Sequence, residues 1–172
     1  ALAEVKPKAF IVENVSGMRR SDFKHLLDHQ VSTFSELGYS VTWQILDAKD
    51  YGVAQDRKRI FIVGIRSDFH EDYIFPTPSH GDEKVPYKTI GEALQGLPLN
   101  PEGEFNVEPF HWYYLSRNRY RGWDECSRTV VARSRHVTLH PSSPPLKRVH
   151  TDKWVFEHDG PARRFSYREC AR

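Results

Sequence analysis

Ala9-Phe10-Ile11-Val12-Glu13-Asn14-Val15, closed by Ser16-Gly17, is the stretch on which the fold turns. It is apolar except for one Glu-Asn pair near its end, and it stops at turn-forming residues, the pattern of a buried strand opening into a loop. Polar groups at such strand ends are where open α/β sheets place their ligands. Downstream, with Ser21 as N-cap, Phe23, Leu26, Leu27, Val31, Phe34 and Leu37 recur at three- and four-residue steps until Gly38, which predicts an amphipathic helix. Residues 40–46 predict a second strand, residues 47–57 a loop or short helix, and residues 60–65 a third, almost continuously apolar strand. Strand, helix, strand, strand is half of a wound sheet, and an α/β domain covered on both faces has more. The remaining elements are expected upstream or in another chain.

After Asp68 the character changes. Ten of the eleven prolines fall between Pro76 and Pro161, and no long period settles. A domain boundary is placed near residue 75. Within this part, residues 89–97 predict a short helix, and residues 127–131 and 136–139 alternate like short strands.

Composition narrows the function classes. No stretch reaches the ~18 consecutive apolar residues of a membrane span, and the first residues lack the build of a secretory signal, so a soluble, cytoplasmic protein is expected. Cys126 and Cys170 are far apart and form no Cys-x-x-Cys pair, which argues against a disulfide framework or a zinc site. His136 and His140 are four apart, but a strand followed by Pro141 spoils the one-face helical spacing of a metal pair. No metal is expected. The formal charge of +2 hides an asymmetry, because residues 110–150 carry eight Lys/Arg against two Asp/Glu. Arginine dominates there, which suits a surface meeting phosphates and guanine edges, although a solvated basic face reads the same way.

Two constellations carry candidate chemistry. Glu13 in an apolar strand has a raised pKa unless it is paired, and a carboxyl so tuned lends a proton near neutrality; a lone Glu at a strand end more commonly caps a turn or pairs with an arginine. Gln55-Asp56-Arg57-Lys58-Arg59 leads into the strand at Ile60, and alternation would project Gln55, Arg57 and Arg59 to one side. Two guanidiniums there clamp an oxyanion, phosphate or base oxygen, unless the run is a solvated flank.

Taken in order, Phe10-Ile11-Val12-Glu13-Asn14-Val15, then Tyr51-Gly52-Val53-Ala54-Gln55-Asp56-Arg57-Lys58-Arg59, then Arg163-Arg164-Phe165-Ser166-Tyr167-Arg168-Glu169-Cys170-Ala171-Arg172 resemble three motifs of the cytosine-5 DNA methyltransferases. The third departs from the family block at Phe165 and Ser166, which stand for Leu and Thr. Between the second and third, residues 118–125, 129–135 and 139–141 resemble the subgroup that modifies GGCC. The resemblance implies an α/β chain in which residues 1–74 are the C-terminal part of an S-adenosylmethionine-dependent, Rossmann-like catalytic domain. Residues 75–162 are then a mixed, loop-rich target-recognition domain, and residues 163–172 begin the block that returns to the catalytic domain.

It further implies that a flipped cytosine is attacked at C6 by a cysteine, that Glu13 bonds and protonates its N3, and that Arg59 touches O2 and Arg57 the adjacent backbone, with Gln55 beside them. Asn14 is the cofactor-side candidate for S-adenosylmethionine. Arg119, Arg121 and Arg135 are expected on guanine edges of double-stranded DNA, and Lys147 and Arg148 on phosphates. The family's Pro-Cys nucleophile and Gly-rich cofactor loop are not among these residues, and Cys126 and Cys170 are expected to be catalytically silent. The chain is therefore read as a piece of a bacterial methyltransferase, inactive without the missing N- and C-terminal parts. The rival is a non-catalytic DNA-binding module. Trp112, Trp123 and Tyr120 are expected in a small core rather than stacked against a base.

Overall fold

The structure is a computed structural model describing residues 1–172. In chain order its elements are α1 (Leu2–Val5), β1 (Ala9–Val15), α2 (Ser21–Glu36), β2 (Tyr39–Asp47), β3 (Gln55–Asp56), β4 (Lys58–Arg66), α3 (Ile90–Leu94), β5 (Ser127–Arg128), β6 (Leu146–His150), β7 (Lys153–Phe156) and α4 (Tyr167–Cys170). No helix is long and apolar enough to cross a membrane. The chain is mixed α/β and divides into two units, Ala1–Asp47 with Lys58–Ser79, and Ala48–Arg57 with His80–Arg172. The sequence reading divided the chain near residue 75. Here Ala48–Arg57 counts with the second unit, as does the block from Arg163 to Arg172.

In the first unit β4 lies between β1 and β2 and is antiparallel to both. β1 and β2 therefore run the same way, joined by α2, which is the connection that parallel strands require. The wound-sheet pattern survives in β1-α2-β2, with an antiparallel strand filling the slot between. Ile60 and Ile62 of β4 are fully buried, and with Val12, Val41 and Ile45 they meet Leu27, Val31 and Phe34 of α2. Each such buried side chain stabilises by about 1.5–3 kcal/mol. Gly64 is required where Phe10 crosses β4, since a Cβ there would sit 2.2 Å from the Phe10 ring, itself edge-on to Phe34 and Tyr39.

Two details of α2 differ from expectation. Ser21 is its first helical residue, and Arg20 is the N-cap, without a side-chain cap bond. Phe23, Leu26 and Leu37 are exposed, so only the Leu27, Val31 and Phe34 stripe meets the sheet. Gly38 does end the helix in the left-handed region, at φ +86°.

The second unit has little ladder to satisfy its backbone. β3 pairs with β5 in parallel over two residues, β6 with β7 as an antiparallel hairpin, and Leu139 bridges Arg164 alone. Two clusters form its core: Ile90, Leu94, Val137 and Phe165, and Tyr114, Leu139 and Leu146 with Phe110, Tyr120, Trp154 and Phe156 around them. Arginine donors replace the missing strands. Arg164 is 1% exposed, lies over the rings of Phe110 and Tyr114, and donates to the carbonyls of Asn106, Glu108 and Arg135. Buried carbonyls in irregular backbone need such partners, and five guanidinium N–H groups reach several at once.

Candidate active site and nucleic-acid interface

In the register of β1 and β4, Glu13 faces Phe61 and Val15 faces Arg59, so Glu13 and Arg59 are diagonal neighbours on one face of the sheet. Their side chains meet there, with Glu13 Oε1 2.9 Å from Arg59 Nε. One Nη of Arg59 also donates to the Lys58 carbonyl at 2.8 Å. The carboxylate is about 44% exposed and the guanidinium about 19%. This face is opposite the one that α2 covers, and Ile11 and Val15, flanking Glu13 along it, are 67% and 57% exposed. The pairing that the sequence reading weighed against catalysis is thus present, but with Arg59, the other candidate residue, and on an accessible face.

The rest of the second motif is divided between the units. Gln55 and Asp56 leave the run to pair with Ser127 and Arg128, whereas Arg59 belongs to β4. Arg57 lies between the two strands, and its carbonyl accepts from the Ala48 N–H at 3.1 Å. The single strand with Gln55, Arg57 and Arg59 on one side is therefore not formed; the backbone changes sheet at Arg57.

Asn14 alternates to the face opposite Glu13, opposite Ile60 in the register. Its side-chain oxygen accepts the Val15 N–H at 2.8 Å. It does not share the surface that Glu13 presents.

The basic candidates are placed unequally. Arg119 is tied inward, its Nε donating to the Tyr114 carbonyl at 3.0 Å and an Nη to that of His136 at 3.3 Å, with the guanidinium 5.0 Å from the Tyr114 ring centre. Those bonds turn its Nε and one Nη onto backbone carbonyls. Arg121 lies 3.5 Å from Glu125, and Arg135 pairs with Glu108. Lys147 and Arg148 are exposed on β6, Arg148 bonding only the His150 carbonyl.

The chain matches the family model of C-5 cytosine-specific DNA methylases over residues 1–172. It belongs to that family. Among its relatives, the Type II methyltransferase M.BsuRI of Bacillus subtilis is 38% identical over 176 residues, covering 100% of this chain and 40% of the relative. M.MthTI of Methanothermobacter thermautotrophicus is 40% identical, covering 98% and 55%. M.BspRI of Lysinibacillus sphaericus is 37% identical, covering 99% and 41%. The chain thus spans about half the length of the curated methylases it matches or less.

Within this methylase chain the third motif is a scaffold. Arg163 forks onto both oxygens of Glu169 at 2.7 and 2.8 Å, and Ser166 and Glu169 cap α4 reciprocally. His140, 1% exposed, accepts the Ser142 N–H at Nδ1 and so presents Nε2–H to Glu169 at 3.4 Å. Burial, with the Arg163 charge adding and Glu169 opposing, holds His140 down at about 4. For Glu169 burial acts upward, but the hydrogen bonds from Arg163 and the Ser166 N–H hold its carboxyl below the ordinary range. Cys170 is pushed up to about 11 by burial and by Glu169, so it is no activated thiolate, and Cys126 points its thiol at the Lys88 carbonyl.

Sequence reasoning missed this buried triad, since Arg163, His140 and Glu169 look like ordinary polar residues until the fold closes them. Arg128 and Arg133, which the sequence reading counted in the basic run without singling them out as DNA contacts, are both exposed. Trp112, assigned to a core, is 81% exposed, and Trp123 is 39% exposed; Tyr120 does join the Tyr114 cluster.

Proposed function

We propose that this chain provides the base-holding carboxylate and the DNA-reading surface of a DNA cytosine-5 methyltransferase. The observation that carries the reading is the Glu13–Arg59 pair on the accessible face of the sheet. When a thiolate adds to C6 of a flipped cytosine, negative charge develops toward N3 and O2. Glu13 leaves the Arg59 pair, takes up a proton from water as the base enters, bonds N3 and delivers that proton there, and Arg59 turns its guanidinium onto O2, so the two groups stabilise the adduct together. Before DNA binds, each holds the other's charge. Arg57 is the candidate for a DNA phosphate.

The nucleophile comes from sequence outside these residues, as the family's Pro-Cys motif would. S-adenosylmethionine, the family's methyl donor, is bound largely outside them as well and supplies the methyl group for C5. On double-stranded DNA, Arg121 and Arg135 exchange their carboxylate partners for guanine edges in a GGCC site, while Lys147 and Arg148 lie on phosphates. By itself the chain binds without methylating.

The test grafts residues 1–172 in place of the matching segment of the Bacillus subtilis relative and measures label transfer from S-adenosylmethionine to duplexes with and without GGCC. Label on GGCC duplexes alone supports the reading. A folded, DNA-binding graft that transfers none overturns the catalytic assignment and leaves the non-catalytic DNA-binding module.

A further inference from the structure

Trp112 is the most exposed of the large aromatic side chains, at 81%, and it does not stand alone. Its indole lies edge-on to Tyr113 with centroids 5.7 Å apart, Tyr113 lies 5.1 Å from His136, and His111 lies 5.8 Å from His136. Four rings thus form one contiguous surface. Its footing is rigid, because the His136 carbonyl accepts from Arg119 and the next carbonyl, that of Val137, accepts from the fully buried Tyr114 hydroxyl.

The surroundings are cationic. His136 closes the exposed run Val131-Ala132-Arg133-Ser134-Arg135, in which Glu108 engages Arg135 while Arg133 has no acidic partner. The same field registers on His136, held below the ordinary imidazole value by burial first and then by Arg119, Arg133, His111 and Arg135. The exposed face of the Trp112 indole, braced edge-on by Tyr113 and bordered by the Arg133 guanidinium, has the make-up of a stacking platform for an unpaired nucleobase, whose π-face it meets and whose phosphate needs a cation.

We infer that Trp112 stacks on an unpaired or extruded nucleobase beside the recognised duplex site, supported by Tyr113 and His136, with Arg133 on the adjoining phosphate. This rests on the DNA-reading role proposed above and adds to it a stacking contact that the paired duplex lacks. A second copy of the chain is a poorer occupant, since it would bring the same positive charge to the same border.

The experiment titrates the chain against two fluorescein-labelled duplexes, one carrying a GGCC site and one with a single unpaired thymine inserted beside it. The wild type is expected to favour the second, and Trp112→Ala to bind it about tenfold more weakly, the scale of a base–aromatic stack. Trp112→Phe is expected to keep most of the affinity, and Arg133→Ala to lower the salt slope by about one. Because Trp112 is exposed, its replacement leaves the melting temperature in place, which excludes misfolding. Equal binding of the unpaired-base duplex by wild type and Trp112→Ala overturns the inference while leaving the DNA reading intact. So does a concentration-dependent dimer that Trp112→Ala abolishes without altering DNA affinity. No binding of either duplex by the wild type overturns both.

Discussion

Glu13 and Arg59 meet across the β1–β4 ladder as a diagonal pair, Oε1 to Nε at 2.9 Å, on the face of the sheet away from α2. A half-exposed pair of this kind contributes about 1 kcal/mol or less to stability. Its partners can therefore be replaced without unfolding the chain, which separates their chemistry from their structural role.

Glu169 is the opposite case. It is 2% exposed and is held by both arms of Arg163 and by the Ser166 cap. Glu169→Ala leaves Arg163 buried and unpaired, and a loss of about 3–5 kcal/mol is expected in urea unfolding. A loss near zero contradicts the scaffold role of the third motif.

Acid should unfold the second unit through His140. Its folded value, about 4, lies below the ordinary 6.5, so as pH falls the unfolded chain takes the proton first. Stability is complete above about pH 6.5 and declines toward pH 4, by about 3 kcal/mol at most. Glu169, held below its ordinary range, loses its contribution in the same direction but at lower pH. In His140→Phe the urea midpoint is expected to stay level between pH 7 and pH 5, while that of the wild type falls.

Gly64→Ala drives a methyl group into the Phe10 ring, and an overpacking cost of about 1–3 kcal/mol is expected from thermal unfolding. Gly17→Ala, with nothing within 4 Å of the added carbon, serves as the control and is expected within about 0.5 kcal/mol of wild type.

The basic residues divide by readout. Arg121→Ala is expected to erase the preference for GGCC over unrelated duplex, at a cost of about 1–3 kcal/mol on the specific site. Lys147→Ala weakens both duplexes alike and lowers the salt slope by about one. A sequence preference untouched by Arg121→Ala would falsify its guanine contact.

The sheet was legible because its period is strong. The run at residues 9–15 is β1 as observed, and the apolar run from Ile60 gives the centre of β4. The β6–β7 hairpin was not, because Lys147, Arg148, Val149 and His150 are all exposed and show no alternation; its one local mark is the left-handed Asp152, at φ +54°. Arg119 and Arg121 look alike in sequence, and only the carbonyls of Tyr114 and His136 within reach of Arg119 set their placements apart. The Glu13–Arg59 contact was divided between two motifs, since it is made by strand register and not by spacing along the chain. Trp112 escaped because aromatics near prolines usually pack inward, and nothing local marks the one that does not.

The most direct test of the account is Glu13→Gln in the grafted enzyme, with methyl transfer and duplex affinity measured side by side. Removing the proton donor at N3 is expected to slow transfer by about 10²–10⁴-fold while affinity stays within about twofold of wild type. Transfer at the wild-type rate would mean that the Glu13 carboxyl is a strand-end ion pair and nothing more.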